Sequence, residues 1–196
     1  MDVFQAINER RSIRKYRTDP IPDEYLQTIL EAARRAPSWH NTQCWRLVIV
    51  RDPDTKKLLS EALKGGPSEA NNPASDAIQR APVVIVACAL KGRSGYLRKG
   101  EMGGIPATDK GEWWFMFDVA LAMQNVSLAA HALGLGTVHI GLFDSSKVAD
   151  ILGIPDNVAV VEMMPMGWPD EKPQPRRRKE ISQFAYFEHY PRDSAG

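Results

Sequence analysis

The chain contains one long segment, residues 112–133, that has helical spacing and almost no polar side. At 1.5 Å per residue this segment would form a helix about 33 Å long. A helix without a polar face has to be covered on every side. With 196 residues the chain can form one domain with a full core or two small ones, and a small domain struggles to cover such a helix. The segment therefore predicts a partner subunit. The polar residues that interrupt it are Asp118, Gln124, Asn125, Ser127 and His131.

The fold class follows from how strands and helices alternate. Residues 83–88 form a continuous apolar run, as expected of a central strand buried on both faces. Shorter apolar runs predict strands at 45–50, 136–141 and 158–164. Helical spacing and Pro or Asp at the starts predict helices over 2–10, 22–36, 53–65 and 74–80, with Ser145 capping a further short one. Strands and helices alternate without internal repeats, which predicts an α+β layer fold in a single domain, 1–196.

Composition excludes several classes of function. The formal net charge is +1, so the chain as a whole is not built to bind nucleic acid or an anionic membrane. No apolar run reaches the ~18 residues of a spanning helix, and the start has no secretory layout. The two cysteines suggest neither a disulfide framework nor a zinc site, and His131 and His139 lack further residues with ligand spacing. We therefore expect no metal, and a reduced, cytoplasmic location.

A basic stretch near the start, Arg10-Arg11-Ser12-Ile13-Arg14-Lys15, carries the strongest chemical signal. Arginine offers forked donors that match phosphate geometry. The alternative is a solvated charge run that ends a helix and interacts with its dipole. A second basic run at 176–179 and a polar loop at 38–43 favour a site for one phosphorylated, planar ligand, because the amides of Asn41 and Gln43 can donate and accept at a ring edge.

Four motifs, in order along nearly the whole chain, resemble the nitroreductase family of FMN-dependent flavoenzymes. The first is the basic stretch continued to Tyr16, and the second is the loop at 33–45, A-R-R-A-P-S-W-H-N-T-Q-C-W. The third runs from Asp118 to Gly141, and the fourth combines Met166-Gly167-Trp168-Pro169 with the run at 175–179. Each motif alone is weak, but four in register are highly specific.

The resemblance implies a three-layer α/β/α fold, with a mixed, mainly antiparallel sheet flanked by helices, in an intertwined homodimer. It also implies two FMN sites at the subunit interface and ping-pong reduction by NADH or NADPH. The acceptor would be a flat small molecule such as a nitroaromatic or a quinone. The flavin carries the redox chemistry, so no side chain is expected to act as a general base.

The resemblance also assigns roles to residues. Arg14 would lie near the N1/O2 edge of the flavin and stabilise its reduced form. The backbone at Ile140 and Gly141 would face N5. The ribityl phosphate would be bound by Arg10, Arg11 and Ser12 with Arg176 or Arg178. The rest of the cofactor site would be lined by Pro37, Ser38, Trp39, Asn41, Gln43 and Asp118, some of them from the second subunit.

The variable parts of the family are expected at two places in this chain. A substrate lid should fall within 91–117, where Trp113 or Trp114 could stack over a flat acceptor or simply pack the dimer interface. The tail, 169–196, should pack on the partner subunit. Two residues depart from the family pattern. Cys44 replaces the usual proline, so the loop would be less rigid or redox-sensitive. His139 stands where an aromatic or small apolar residue is usual, and it could be a proton donor near N5, although a structural histidine is the simpler expectation.

Two other functions stay open at this point. A dehalogenase-like flavin reductase acting on an aromatic amino acid would need Glu101 or Glu112 with Lys99 or Lys110 to clamp a zwitterion. A non-catalytic FMN-binding or redox-sensing protein would bind the flavin without NAD(P)H turnover.

Overall fold

The computed structural model describes residues 1–64, 72–97 and 104–191 of the chain. Within them lie a four-stranded sheet and six α-helices. The strands are β1 (Trp45–Val50), β2 (Val83–Leu90), β3 (Gly136–Thr137) and β4 (Val158–Gly167). The helices are α1 (Val3–Glu9), α2 (Asp23–Arg34), α3 (Pro53–Ser60), α4 (Pro73–Arg80), α5 (Trp114–Ala132) and α6 (Ser145–Leu152).

The strand order is β1-β2-β4-β3, and every pairing of these strands is antiparallel. The register puts Trp45 opposite Ala89 and Ala89 opposite Ala159, at one end of the sheet. At the other end Thr137 lies opposite Met166, which lies opposite Val83. The single parallel contact among the described residues, between Ser12 and Thr137, places the start of the chain beyond β3.

Helices cover both faces of the sheet, which confirms the predicted α+β, three-layer architecture. One face of β2, with Ile85 and Ala87, packs in a core with α2 and α5. The other face, with Val84 and Val86, packs in a core with α3, α4 and α6. This arrangement explains the continuous apolar run of β2, because alternating side chains of a strand covered on both sides are all buried.

Several predicted boundaries differ from the structure for local reasons. The α-helical part of the long segment is α5, of 19 residues, preceded by a 3₁₀ turn at Gly111–Trp113. Helix α3 ends at Ser60, and residues 65–71 lie outside the described residues. The cap of α6 is Asp144 and not Ser145, because the Asp144 carboxylate accepts from the N–H groups of Ser146 and Lys147.

A single chain does not cover the long helix on every side, so its covering by a partner subunit stays a prediction. Its polar residues Asp118 and Ser127 are buried, whereas Met116 and Phe117 are exposed. Helix α1 likewise buries Ala6 and leaves Val3, Phe4 and Ile7 exposed, with Phe4 at 75%. The described chain therefore carries an uncovered apolar surface of the kind that marks an interaction site.

The N-terminal segment is held against β3 by close packing. The Ile13 N–H donates to the carbonyl of Thr137 at 3.0 Å. The buried Tyr16 hydroxyl donates to the carbonyl of Ile13 at 2.5 Å, and burial raises the pKa of this phenol. A Cβ built on Gly136 would lie 2.5 Å from Cγ1 of Ile13. Glycine at 136 is thus required by the approach of Ile13.

Changing Gly136 to Ala should lower the free energy of unfolding of the apoprotein by about 1–3 kcal/mol, because an added methyl overpacks the contact with Ile13. Urea denaturation measures this change. Gly141→Ala is the matched control, since a Cβ at Gly141 would meet nothing within 4 Å, and its stability should stay within ~0.5 kcal/mol of the wild type. Equal stability of the two variants would contradict the packing argument.

Candidate functional site

Three guanidinium groups from opposite ends of the chain come together; we call Arg10, Arg11 and Arg178 the arginine cluster. Burial lowers the pKa of Arg10, and the positive charges of Arg178 and Arg11 lower it further. Arg11 also donates to the carbonyls of Asn8 and Arg10, at 2.7 and 2.8 Å. The cluster therefore joins the two basic runs that the sequence places about 165 residues apart.

The tail reaches Arg10 because it runs along the start of the chain. The Arg17 N–H donates to the carbonyl of Trp168, and the Asp170 N–H donates to that of Lys15, both at 2.9 Å. The Glu171 carboxylate accepts from the N–H groups of Arg14 and Lys15. These contacts fix the direction in which residues 172–178 continue from Glu171.

The chemistry of this donor set fits a phosphate group. None of the three clustered arginines pairs with a carboxylate anywhere in residues 1–64, 72–97 and 104–191. Three cations held close together repel one another, and a bound dianion would remove that cost. Forked guanidinium donors suit phosphate oxygens in particular. The nearby guanidiniums of Arg14 and Arg176 also form no ion pair within the part of the chain that is described.

The polar loop, residues 37–43, has a strained backbone. His40, Asn41 and Gln43 have φ angles of 43°, 56° and 46°, in the left-handed region that residues other than glycine seldom adopt. The Ser38 hydroxyl accepts from the Gln43 N–H at 2.9 Å, and the Gln43 side-chain amide donates to that of Asn41 at 3.2 Å. Three such residues in one loop store strain, which is typical of ligand-binding segments.

A buried carboxylate, Asp118 on α5, holds this loop in place. It accepts from the Trp39 N–H at 3.1 Å, from the Ser94 hydroxyl at 2.5 Å and from the Cys44 thiol at 3.8 Å. The Trp39 indole in turn donates to the carbonyl of Tyr96 at 3.3 Å. Asp118 was predicted to bind the cofactor directly. In this structure its oxygens are taken up by the protein, so the carboxylate positions the loop and the segment 94–96.

The same contacts decide the character of Cys44. Its side chain is fully buried, and burial together with the charge and hydrogen bond of Asp118 raises the pKa of the thiol to about 12. A thiolate is the reactive form of cysteine. Cys44 is therefore a structural donor to Asp118, which argues against redox sensitivity at this position.

A pocket of about 620 Å³ opens beside Gly141, between the first residues of β4, α6 and the start of α5. The two tryptophans predicted to stack on an acceptor have different environments. Trp113 lines the pocket and is 63% exposed. Trp114 instead packs edge-on against Trp39, with ring centroids 5.2 Å apart. Trp113 is thus the indole available to an acceptor. The other aromatic and apolar lining residues include Tyr96, Phe115, Met116, Phe143 and Ile154.

The predicted site residues fall into two groups that one chain does not bring together. Ser12, Ile140 and Gly141 lie at the β3 edge with the arginine cluster. Pro37, Ser38, Trp39, Asn41 and Gln43 precede β1, at the opposite edge. Ile140 pairs with Met163 of β4, whereas Trp45 of β1 is aligned across Ala89 of β2 with Ala159 of β4. The distance from Trp45 to Ile140 is therefore three strand spacings across the sheet and about four residues along it, which is roughly 20 Å.

Three residues of the site were not predicted from the sequence. Ser94, Tyr96 and Glu171 act through contacts with groups 24, 57 and 157 residues away. No spacing rule covers such separations. A turn at 91–95 with two glycines was the sole local sign that Ser94 occupies a constrained position.

Two of the other expectations can be examined only partly. Of the four residues that a dehalogenase-like clamp would use, Lys99 and Glu101 lie outside the described residues. Glu112 lines the pocket, but Lys110 pairs with Asp109. Among residues 1–64, 72–97 and 104–191, no helix is long and apolar enough to cross a membrane. In the same ranges no group of three His, Cys, Asp or Glu side chains could hold a metal ion.

Replacing Asp118 with Ala should lower the free energy of unfolding by about 3 kcal/mol, because buried donors of Trp39 and Ser94 lose a charged acceptor. Urea denaturation of the apoprotein measures the loss. Asp150→Ala, at an exposed position of α6, is the control and should change stability by less than ~0.5 kcal/mol. A loss for Asp118→Ala no greater than for the control would rule out the positioning role.

Comparisons with known proteins agree with this geometry. The profile of the Nitroreductase family matches residues 7–168. An NADH dehydrogenase of Thermus thermophilus is 34% identical over 91% of this chain and 92% of its own length. An FMN reductase [NAD(P)H] of Bacillus subtilis is 29% identical, over 87% of this chain and 67% of its own. The crystal structure of the Vibrio harveyi NADPH:FMN oxidoreductase complexed with NAD+ superposes with a TM-score of 0.77, at 27% identity, over 96% of this chain and 77% of that one. With a matched profile over most of its length, and with Arg10, Arg11 and the strained loop in the matched region, this chain belongs to the nitroreductase family.

Proposed function

We propose that this protein is an FMN-dependent oxidoreductase that takes electrons from NADH or NADPH and passes them to a flat acceptor such as a nitroaromatic or a quinone. The observation that carries the proposal is the arginine cluster, in which burial and the charges of Arg178 and Arg11 lower the pKa of Arg10 and no carboxylate of the described chain pairs with it. An FMN phosphate supplies the missing negative charge. The relatives named for FMN and NAD(P)H support the same cofactors.

The residues of this chain would divide the work of binding the cofactor. The arginine cluster, with Ser12 and Arg176, would hold the phosphate. Arg14, whose side chain is exposed, would lie near the flavin N1/O2 edge and stabilise negative charge there. The bound flavin supplies hydride transfer in both half-reactions. Gly141 leaves open space on its Cα, so its backbone can approach a ring closely.

The proposal includes a homodimer, because one chain does not complete the site. The polar loop lies roughly 20 Å from Gly141 across the sheet of the same chain, by the strand spacings. A second copy related by two-fold symmetry could bring its loop to the first copy's Gly141 and arginine cluster. The exposed apolar side chains of α1, of α5 and of the tail provide an interface of the right character. The tail contributes Ile181, Phe184, Phe187 and Tyr190.

The acceptor would bind in the pocket beside Gly141. Its volume of about 620 Å³ suits a small aromatic molecule, and Trp113 offers an exposed indole for stacking. The lid assigned to 91–117 includes Tyr96, Trp113 and Phe115 of this lining. The cytoplasmic location and the assignment of one domain to 1–196 stay predictions.

The test of this function is anaerobic reduction. The purified protein should be yellow, with a flavin spectrum that bleaches within seconds of adding NADH or NADPH and returns when a quinone is added. Double-reciprocal plots at several acceptor concentrations should be parallel, since donor and acceptor would use the site in turn. A flavin that neither donor reduces would overturn the oxidoreductase in favour of a binding or sensing role.

The arginine cluster is tested by comparing two ligands that differ by a phosphate. The double variant Arg10→Ala/Arg178→Ala should bind FMN at least ~100-fold more weakly, because two charge-assisted contacts are lost and each is worth more than about 1.4 kcal/mol, a factor of ten. Binding of riboflavin to the apoprotein, measured by fluorescence quenching, should change little. The control is Arg51→Ala, which removes an arginine that pairs with Asp23 at 2.6 Å. Parallel loss of FMN and riboflavin would contradict the phosphate assignment.

The variant Arg10→Ala/Arg178→Ala also tests whether the site is formed by two chains. Asn41→Gly/Gln43→Gly removes the amides of the polar loop while keeping a backbone that tolerates positive φ. Each double variant alone should be inactive. Mixed after denaturation, the two should regain about a quarter of the wild-type sites, because half the dimers are mixed and each has one intact site. No recovery on mixing would place the loop and the cluster of one chain in one site.

A further inference from the structure

An ion-pairing side chain stands next to the backbone proposed to face the flavin. Nδ1 of His139 and Oε2 of Glu162 are 2.7 Å apart. The His139 side chain is 40% exposed, whereas that of Glu162 is 14% exposed. His139 is therefore not a histidine of the core. Its ring is anchored at Nδ1, and its Nε2 makes no hydrogen bond with the described residues.

His139 and Glu162 lie next to residues that line the acceptor pocket. Gly141, two residues after His139, and Val161, the residue before Glu162, both line that pocket. Ile140 pairs with Met163, and both side chains are buried in the core beside α3, α4 and α6. Because side chains alternate along an extended segment, His139 lies on the same side of the chain as Gly141.

The surroundings of Glu162 fix the state of the ring. Its second oxygen, Oε1, is buried and accepts no hydrogen bond from the residues that the structure describes. A half-buried carboxylate needs a donor or a cation, and Nδ1–H of His139 is the donor that the structure provides. With the proton held on Nδ1, Nε2 is left free to carry and release a second proton.

We propose that His139 is a catalytic acid that protonates the acceptor, and that Glu162 is the positioning residue that orients its ring; this rests on the proposed function. In the reduction of a quinone, the electron pair from NAD(P)H arrives at the acceptor as hydride by way of the flavin. The Nε2–H proton of His139 goes to the acceptor oxygen, so that quinone, hydride and proton give the hydroquinone. The neutral imidazole then takes a proton from water.

The orientation of the ring is tested without any turnover. Side-chain ¹⁵N spectra of the apoprotein should show neutral His139 with its proton on Nδ1. In Glu162→Gln the proton should move to Nε2, the tautomer that neutral histidine favours when a carboxylate does not hold Nδ1. His189, an exposed histidine of the tail, is the reference and should not change. A wild-type ring with its proton on Nε2 would overturn the pairing.

The catalytic role is tested by two acceptors that differ in their need for a proton. His139→Ala, reduced by NADH or NADPH and then mixed with tetramethyl-1,4-benzoquinone, should reoxidise about 100-fold more slowly than the wild type. Its reoxidation by ferricyanide, which takes electrons and no proton, should be unchanged. Added imidazole should restore the quinone rate. Glu162→Gln should lose less, and His189→Ala should lose nothing.

The outcomes separate this inference from the function on which it rests. A flavin that binds and bleaches normally in His139→Ala, with an unchanged quinone rate, would overturn the role of His139 alone. Equal slowing with quinone and ferricyanide would also overturn it, because a proton donor affects one acceptor and not the other. A wild-type protein that binds no FMN would instead remove the proposed function. Should His139→Ala lose its flavin, Glu162→Gln decides by the same pair of acceptors.

Discussion

The pairing of β2 with β4 is the constraint on which the rest of the structure depends. Both strands lie inside the sheet, and their register decides which ends of the other elements meet. A shift by one residue would turn every β2 side chain to the opposite face and separate Ile85 from α5. Because the register is fixed by burial on both faces, Thr137 and Gly141 end at one edge and the polar loop at the other. The division of the site between two edges is thus a consequence of packing.

Around this sheet the protein holds arrangements that are costly by themselves. Arginines of the cluster repel one another, the polar loop keeps three residues at positive φ, and Glu162 buries an unpaired oxygen. Costs of this kind are typical of functional sites, where a ligand or a reaction repays them. Asp118 shows how the fold sustains one of them: its buried carboxylate ties the loop to α5 and to Ser94. The strained backbone of the polar loop is thus held in place by hydrogen bonds to Asp118, which has no proposed role in the reaction.

The proposed site uses arginines where a permanent charge is needed and a histidine where a proton has to be released. The arginine cluster offers permanent charge for a phosphate, which does not change during the reaction. In the proposed function, Arg14 would place permanent charge where electrons accumulate. His139 would offer a proton that it can release, next to the pocket proposed for the acceptor. Arginine suits the first two tasks and histidine the third, because only histidine exchanges its proton readily near neutral pH.

Local sequence patterns were enough to predict most elements and the residue types of the site. The apolar run of β2, the helix period of α2 and the prolines at the starts of α3 and α4 act over a few residues, so their effect can be read along the chain. The basic stretch and the polar loop were recognised because their motifs are continuous. The prediction of a cap failed where a neighbour in space decides: Asp144 displaced Ser145 at the start of α6. The sequence also did not show that α5 buries Asp118 yet exposes Phe117.

The sequence by itself determined the family, the α+β architecture and the kind of ligand, because each depends on short motifs and on the spacing of apolar residues. The tertiary structure decided which groups meet. It placed Arg178 near Arg10, and it let Asp118 accept hydrogen bonds from the polar loop and from Ser94. It also packed Trp114 against Trp39 while Trp113 stayed exposed, and it paired His139 with Glu162. These contacts join residues 23 to about 170 positions apart, and strand register and helix packing, which act through space, bring them together.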